Sequence, residues 1–322
     1  MGSLFSIGEV LIDFISQQKG KALKDVTSFE RAPGGAPANV AATVAKFGEK
    51  ASLITKLGED AFGDFLLEQL EQTGMQTDKI SRTKLANTGL AFVSLNEEGE
   101  RDFAFYRNPS ADLLLNKAEI DQNWFAERDI LHFCSVDLVN SPMKQAHIKA
   151  IQSVKDCGGI ISFDPNVRLP LWDDPLECRK TILSFLPMAH IVKVSDEELE
   201  FITGISDEKQ SVDSLFIGDV KAVVYTKGSQ GADLYVQNKQ FHSTGYTVEV
   251  IDTTGAGDAF IGGFLYQLLN RNTGPNELEG TLIKHHKEIL AFANAAGALT
   301  TTGKGAIASI PKKEIVQKLI NE

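Results

Sequence analysis

The chain has 322 residues, 43% hydrophobic and 23% charged, an ordinary balance for a soluble globular protein of one large α/β domain or two small ones. A net charge of −11 argues against general binding to nucleic acid or anionic membrane, so any anionic ligand must be met by local positive features. Three cysteines (Cys134, Cys157, Cys178), odd in number and without metal-like spacing, argue against a disulfide framework and point to a reducing, cytoplasmic setting.

No apolar run reaches 18 residues, and the start lacks a basic stretch followed by an apolar one, so neither a membrane span nor a secretory leader is expected. Residues 4–8 and 10–12 read as strand, 36–47 as helix and 51–56 as strand. Over 60–73 the apolar positions Phe62, Phe65, Leu66 and Leu70 recur at helical spacing and stop at Gly74. Further along, 130–133 reads as strand, 141–156 as helix and 159–163 as strand; strands at 190–194 and 222–226 bracket a helix around 197–202. Alternating strands and helices predict a doubly wound, mainly parallel sheet with helices on both faces.

Two stretches break this alternation. Residues 14–31 and 88–106 alternate apolar and polar side chains, and Asn96-Glu97-Glu98-Gly99-Glu100 reads as a hairpin turn. They predict a small β-sheet lid (14–31 and 88–107) on an α/β core made of 1–13, 32–87 and 108–322. An apolar face carrying Phe92, Phe103 and Phe105 would be either a contact with a second subunit or a surface covered within one subunit. His285 and His286 sit in a charged stretch that reads as a solvated helix face.

Two glycine-rich turns carry the chemistry. In Asp252-Thr253-Thr254-Gly255-Ala256-Gly257-Asp258-Ala259-Phe260, small residues precede an apolar helical run, which puts the backbone N–H groups of a helix start where a phosphate can reach them. A carboxylate at that point would repel a merely bound phosphate. It makes sense if Asp258 takes a proton from a hydroxyl while the helix end stabilises the transferring group. Taken alone, the same turn reads equally well as a helix cap. Pro33-Gly34-Gly35-Ala36-Pro37-Ala38-Asn39-Val40-Ala41 is the second such turn, with Pro37 suited to a first helical turn, Gly48 at a C-cap, and Asn39 able to donate to and accept from hydroxyls.

Together, these blocks resemble the two signatures of the ribokinase-like (PfkB-type) carbohydrate kinases, and the likeness runs from Gly8-Glu9-Val10-Leu11-Ile12-Asp13 to Gly303-Lys304-Gly305. Within that family the fructokinases are the nearest in pattern, on Phe105-Tyr106-Arg107-Asn108-Pro109-Ser110-Ala111-Asp112 and Asp164-Pro165-Asn166-Val167-Arg168-Leu169-Pro170-Leu171-Trp172. The resemblance implies ATP-dependent phosphorylation of a small sugar, with Asp258 as base, Gly255, Ala256 and Gly257 as the anion hole, and Arg168 beside the transferring phosphate. Asp13, Gly34, Gly35, Asn39, Tyr106, Arg107 and Asn166 would hold the sugar. Lys193, Thr226, Lys227, Gly228, Gly231, Gly257 and Asn294 would hold the nucleotide. Glu198 would act on magnesium through water, although Ser195 stands where the family commonly has asparagine. Asp252, Thr254, Gly303, Gly305 and Ser309 resemble a potassium loop. A homodimer joined through the lid is also implied, with no nucleic-acid or membrane partner.

The absence of G-x-x-x-x-G-K-[ST] removes the P-loop ATPases as a model. D-fructose, phosphorylated at the 6-hydroxyl, is the expected substrate. The alternative is 2-keto-3-deoxygluconate, whose kinases use a Tyr-Arg pair like Tyr106 and Arg107. A reading of another class, a catalytically inactive sugar-binding regulator, has the intact Gly255-Ala256-Gly257-Asp258 against it.

Overall fold

A computed structural model describes residues 2–18, 20–95 and 101–322. Among these, nine strands form one sheet in the order β13-β12-β11-β10-β9-β8-β1-β4-β5. They are β1 (Leu4–Ile7), β4 (Ala51–Gly58), β5 (Ile80–Thr83), β8 (Ile130–Cys134), β9 (Ile160–Asp164), β10 (Ile191–Ser195), β11 (Ala222–Thr226), β12 (Ala232–Val236) and β13 (Lys239–Ser243). All run parallel except the hairpin β12-β13, which adds antiparallel at one edge.

Helices cover both faces, as a parallel sheet requires. On one side lie α1 (Ala36–Lys46), α7 (Ala256–Asn270) and α8 (Leu278–Thr300), packed on Leu4, Ile130, Ile160, Ile191 and Val224. On the other, α3 (Pro142–Asp156), α4 (Pro175–Phe185) and α5 (Asp196–Thr203) cover Phe5, Ile7, Phe133, Phe163 and Val192. The helices α2 (Ala61–Gln72), α6 (Glu208–Ser214), α9 (Ala306–Ser309) and α10 (Lys313–Asn321) complete the chain. Asp60 caps α2 by accepting from the N–H groups of Phe62 and Gly63, which fixes where that helix starts.

A second sheet has the order β3-β2-β6-β7, from β2 (Leu11–Ser16), β3 (Phe29–Gly34), β6 (Leu90–Leu95) and β7 (Arg101–Tyr106). The strand expected at 10–12 thus opens this small sheet. Asp13, instead of following a core strand, lies within β2, opposite Ala32 and Ala91. The hairpin turn expected at Asn96-Glu97-Glu98-Gly99-Glu100 lies outside the described residues, as does the side chain of Phe103.

Strand register corrects the single apolar face expected of this sheet. Phe92 pairs with Phe14 and Ala104, whereas Phe105 pairs with Ala91, and successive side chains alternate sides. Phe92 therefore shares a face with Phe14 and Tyr106, and Phe105 lies on the other. The first face is packed within the chain: the Phe92 ring stacks on Phe14 at 4.9 Å and meets Phe29 edge-on at 5.3 Å, and Phe14 reaches Phe62 of α2 at 5.7 Å. His285 and His286 are also less solvated than their charged neighbours suggest. His286 stacks on Phe241 at 4.0 Å, and His285 pairs with Glu288 at 3.0 Å.

Candidate active site

The two glycine-rich turns, more than 200 residues apart in the chain, meet. Asn39 Nδ2 donates to Asp258 Oδ2 at 2.8 Å, joining the first turns of α1 and α7. Close packing lets them meet: a Cβ on Gly262 would lie 2.6 Å from Thr43 Cβ, so only a glycine allows α7 to approach α1 this closely.

Gly255 takes a left-handed conformation (φ 78°) and caps α7 without a side chain of its own to bond the helix end. The Ala256 N–H donates to the Thr253 carbonyl at 3.3 Å, and the N–H groups of Gly257 and Asp258 follow it in the first turn, at the positive end of the dipole, where a ligand can be met. Asp258 is half-buried in that turn. Burial raises its pKa above the ordinary carboxylate value, against the pull of the Asn39 amide, Lys193 and Arg168.

At the other turn, a Cβ on Gly34 would fall 2.0 Å from Asp13 Oδ2, so Gly34 leaves the space that the Asp13 carboxylate fills. Gly35 (φ 112°) begins α1, and the N–H of Ala36 donates to Glu9 Oε1 at 3.0 Å. Among the described residues the buried Asn39 Oδ1 has no hydrogen-bond partner, which leaves an acceptor at the site.

The carboxyl ends of β8, β9 and β10 supply the floor. Side-chain alternation puts Cys134, Asp164 and Lys193 on the α1/α7 side of the sheet, opposite Phe133, Phe163 and Val192. Lys193 Nζ pairs with Asp164 Oδ2 at 2.9 Å and lies 3.4 Å from where a Cβ on Gly257 would be. Burial opposes the lysine's charge, but Asp164, Glu198 and Asp258 outweigh it and raise its pKa.

Glu198 sits in the first turn of α5. Its Oε1 accepts from the Val167 N–H at 2.7 Å, and its Oε2 from Ser195 N and Oγ at 3.0 and 2.9 Å. Burial works against its charge, yet Lys193 and these donors hold its pKa below the usual value. Ser195, in place of asparagine, thus serves as half of a capping box. Asn166 is buried with φ 45°, while Arg168 is exposed, its Nη1 donating to the Val167 carbonyl at 2.9 Å.

Other residues named from the sequence have partners within the protein. Lys227 pairs with Asp233 at 2.8 Å and Glu208 at 2.9 Å. Thr226 Oγ1 donates to the Val194 carbonyl at 3.3 Å, and Gly228 and Gly231, both at positive φ, bound the turn that follows β11. Asn294 Nδ2 binds the carbonyls of Ser243 and Thr244 at 3.1 and 3.2 Å, fixing the exit of β13. Arg107 is buried and binds Asp112 and Asp137, with Glu9 adding its charge, so its guanidinium anchors β7 to the core. Tyr106 is 65% exposed.

The segment before α7 is tied to the tail. Asp252 Oδ1 accepts from Thr254 N and Oγ1 at 2.9 and 2.7 Å, and its Oδ2 from Gly305 N at 3.0 Å. Gly303 packs on Ser309, and Gly255 packs on Ala306.

Sequence reasoning gave no role to Glu9, His132, Asp137 or Asp164. A signal was present: β8, β9 and β10 are covered on both sides, yet His132, Ser162, Asp164 and Lys193 interrupt their apolar runs at alternate positions. Polar side chains on one face of fully buried strands mark a site or a buried network.

The pfkB family carbohydrate kinase model matches residues 1–313. The chain belongs to this family. Fructokinase-2 of Solanum lycopersicum is 43% identical to it over 313 residues, spanning 96% of this chain and 93% of its own. Among solved structures, the fructokinase from Xylella fastidiosa with bound ATP superposes with a TM-score of 0.91 at 32% identity, covering 99% of this chain and 98% of the other. A double mutant of the fructokinase from Vibrio cholerae O395, in a fructose, ADP and potassium ion bound form, gives a TM-score of 0.87 at 33% identity, covering 99% and 98%. This pfkB member is therefore a carbohydrate kinase on the ribokinase-like fold, with a large, mostly parallel sheet and a separate small one.

Proposed function

We propose that the protein phosphorylates D-fructose at the 6-hydroxyl with ATP, by direct in-line transfer. The observation that carries this reading is the Asn39–Asp258 contact, which joins the sugar-side turn to the glycine-led start of α7. Asp13, Gly34, Gly35, Asn39 and Asn166 take the sugar hydroxyls, and the Asp258 carboxylate accepts the proton of the attacking hydroxyl. The N–H groups at Gly255, Ala256 and Gly257 take up charge on the transferring group, with Lys193 and Arg168 as cations beside it. The nucleotide lies toward Thr226, Lys227, Gly228, Gly231 and Asn294. Arg107 anchors the lid instead of binding the sugar, and the small sheet, with Tyr106 at its border, closes over the substrate and joins two subunits.

Glu198 is charged, but both its oxygens already accept hydrogen bonds from the chain, which suits an outer-sphere contact with magnesium through water. When bound there, the ion neutralises nucleotide phosphate charge. Oxygen donors near Asp252, Thr254, Gly303, Gly305 and Ser309 suit potassium, which would brace the anion turn from behind. The fructokinase names and bound sugars of the relatives support fructose, and the three free cysteines agree with a cytoplasmic enzyme. A coupled ADP-release assay over a panel of sugars tests the reading: fructose should drive release, and a protein that binds sugar without releasing ADP with any of them would be a regulator.

A further inference from the structure

Asp164 lies at the last position of β9 and is 1% exposed. Both its oxygens face Lys193 Nζ, at 2.9 and 3.2 Å, from the adjacent parallel strand. Lys193 is itself buried, and its ammonium lies against Gly257 in the first turn of α7. Arg168, by contrast, is exposed and bonded to its own loop. A lysine stem is flexible, and a compact ammonium holds no direction of its own. Its aim at the helix start must come from a neighbour that fixes it. Here the two-oxygen grip of Asp164 supplies that, on a strand end that packing holds rigid.

We propose that Asp164 is a positioning residue for phosphoryl transfer: it holds the Lys193 ammonium at the first turn of α7, where charge develops on the transferring group. This rests on the kinase reading above. Asp164 touches neither sugar nor nucleotide in this assignment and acts through the lysine. The row Cys134-Asp164-Lys193 across three strands explains why polar groups interrupt buried strands at this point.

The assignment predicts a split between rate and binding. Asp164→Asn should lower kcat by about tenfold or more, since small displacements of a charge-stabilising group are costly to transfer. The KM for sugar should stay within about twofold. Lys193→Met should lose a similar factor, and the double variant should be no slower than Lys193→Met alone, because Asp164 has nothing left to position. Asp164→Glu, which keeps the charge, should recover part of the Asp164→Asn loss.

Circular dichroism and thermal melts accompany each variant. If Asp164→Asn does not fold, Asp164→Glu and the double variant, measured against wild type and Lys193→Met, carry the test. A wild-type kcat in Asp164→Asn, or losses that multiply in the double variant, would overturn the assignment. Wild-type protein that releases no ADP with any sugar would instead remove the kinase reading on which it rests.

Discussion

Asp258 must be charged to act as a base, yet it sits where burial raises its pKa above the ordinary 3.8. A carboxyl whose pKa is raised on folding favours the native state when protonated. That contribution is present in full below the unfolded value and is lost as pH rises through the folded one. At pH 8, then, ionised Asp258 costs stability that Asp258→Asn would recover. The variant should melt at a higher temperature than wild type at pH 8, with the gap closing toward pH 4, while kcat falls by about 10²–10⁴-fold. Differential scanning calorimetry beside ADP-release kinetics checks both, and unchanged activity would end the assignment. For wild type, the acid limb of kcat/KM should lie above the ordinary carboxylate value. For Arg107 the sequence left two roles, binding a sugar hydroxyl or securing the closed lid, and its pairs with Asp112 and Asp137 favour the second. Arg107→Ala would leave both carboxylates buried without their cation, a loss of about 3–5 kcal/mol that urea unfolding should register.

Among the elements, α7 controls the alignment of the site. It is apolar nearly all round and buried between α1 and α8, so its glycines set the distances. Gly262→Ala would drive a methyl into Thr43, separate Asn39 from Asp258, and cost about 1–3 kcal/mol through overpacking. Both melting temperature and kcat should fall; a fully active, equally stable Gly262→Ala protein would contradict this view of the helix. The loop ahead of α7 is held by bonds from Thr254 and Gly305 to the Asp252 carboxylate and from the Ile251 and Asp252 N–H groups to the Thr301 carbonyl. Activation should be greater in potassium than in sodium and weaker in Asp252→Ala, whereas equal wild-type rates in potassium and in a large organic cation would rule out a cation role. Helices with apolar spacing and clear caps were legible from the sequence to within a residue or two, as at 36–47 and 60–73. The hairpin β12-β13 and the helices α4, α6 and α10 were not drawn: β12, β13 and α6 are short and α4 mixes polar and apolar positions, whereas α10 does carry apolar residues at helical spacing (Ile315, Val316, Leu319, Ile320), a signal that was passed over.

Across the whole molecule, alternation of strands and helices made the parallel sheet legible, and the small sheet showed through its period-two pattern. Its facing was not legible. Placing Phe92 and Phe105 on opposite sides needs the register between β6 and β7, and register is a property of pairing, not of either strand. That a helix starts behind a glycine turn was legible where the motif is contiguous, as at Gly255-Ala256-Gly257-Asp258. Lys193 was named, but its pairing with Asp164 and their row with Cys134 were hidden, because three separate strands each contribute one side chain.

Substrate choice depends on the whole arrangement. Asp13 and Asn39 offer a carboxylate and an amide to neutral hydroxyls, whereas Arg107, the cation a keto-acid would need, is buried against Asp112 and Asp137. The most direct test is kcat/KM for fructose and for 2-keto-3-deoxygluconate, measured side by side with ATP in one ADP-release assay. Fructose should be preferred by at least about tenfold, on the order of 1.4 kcal/mol of transition-state binding; a higher kcat/KM for the keto-acid would contradict the account.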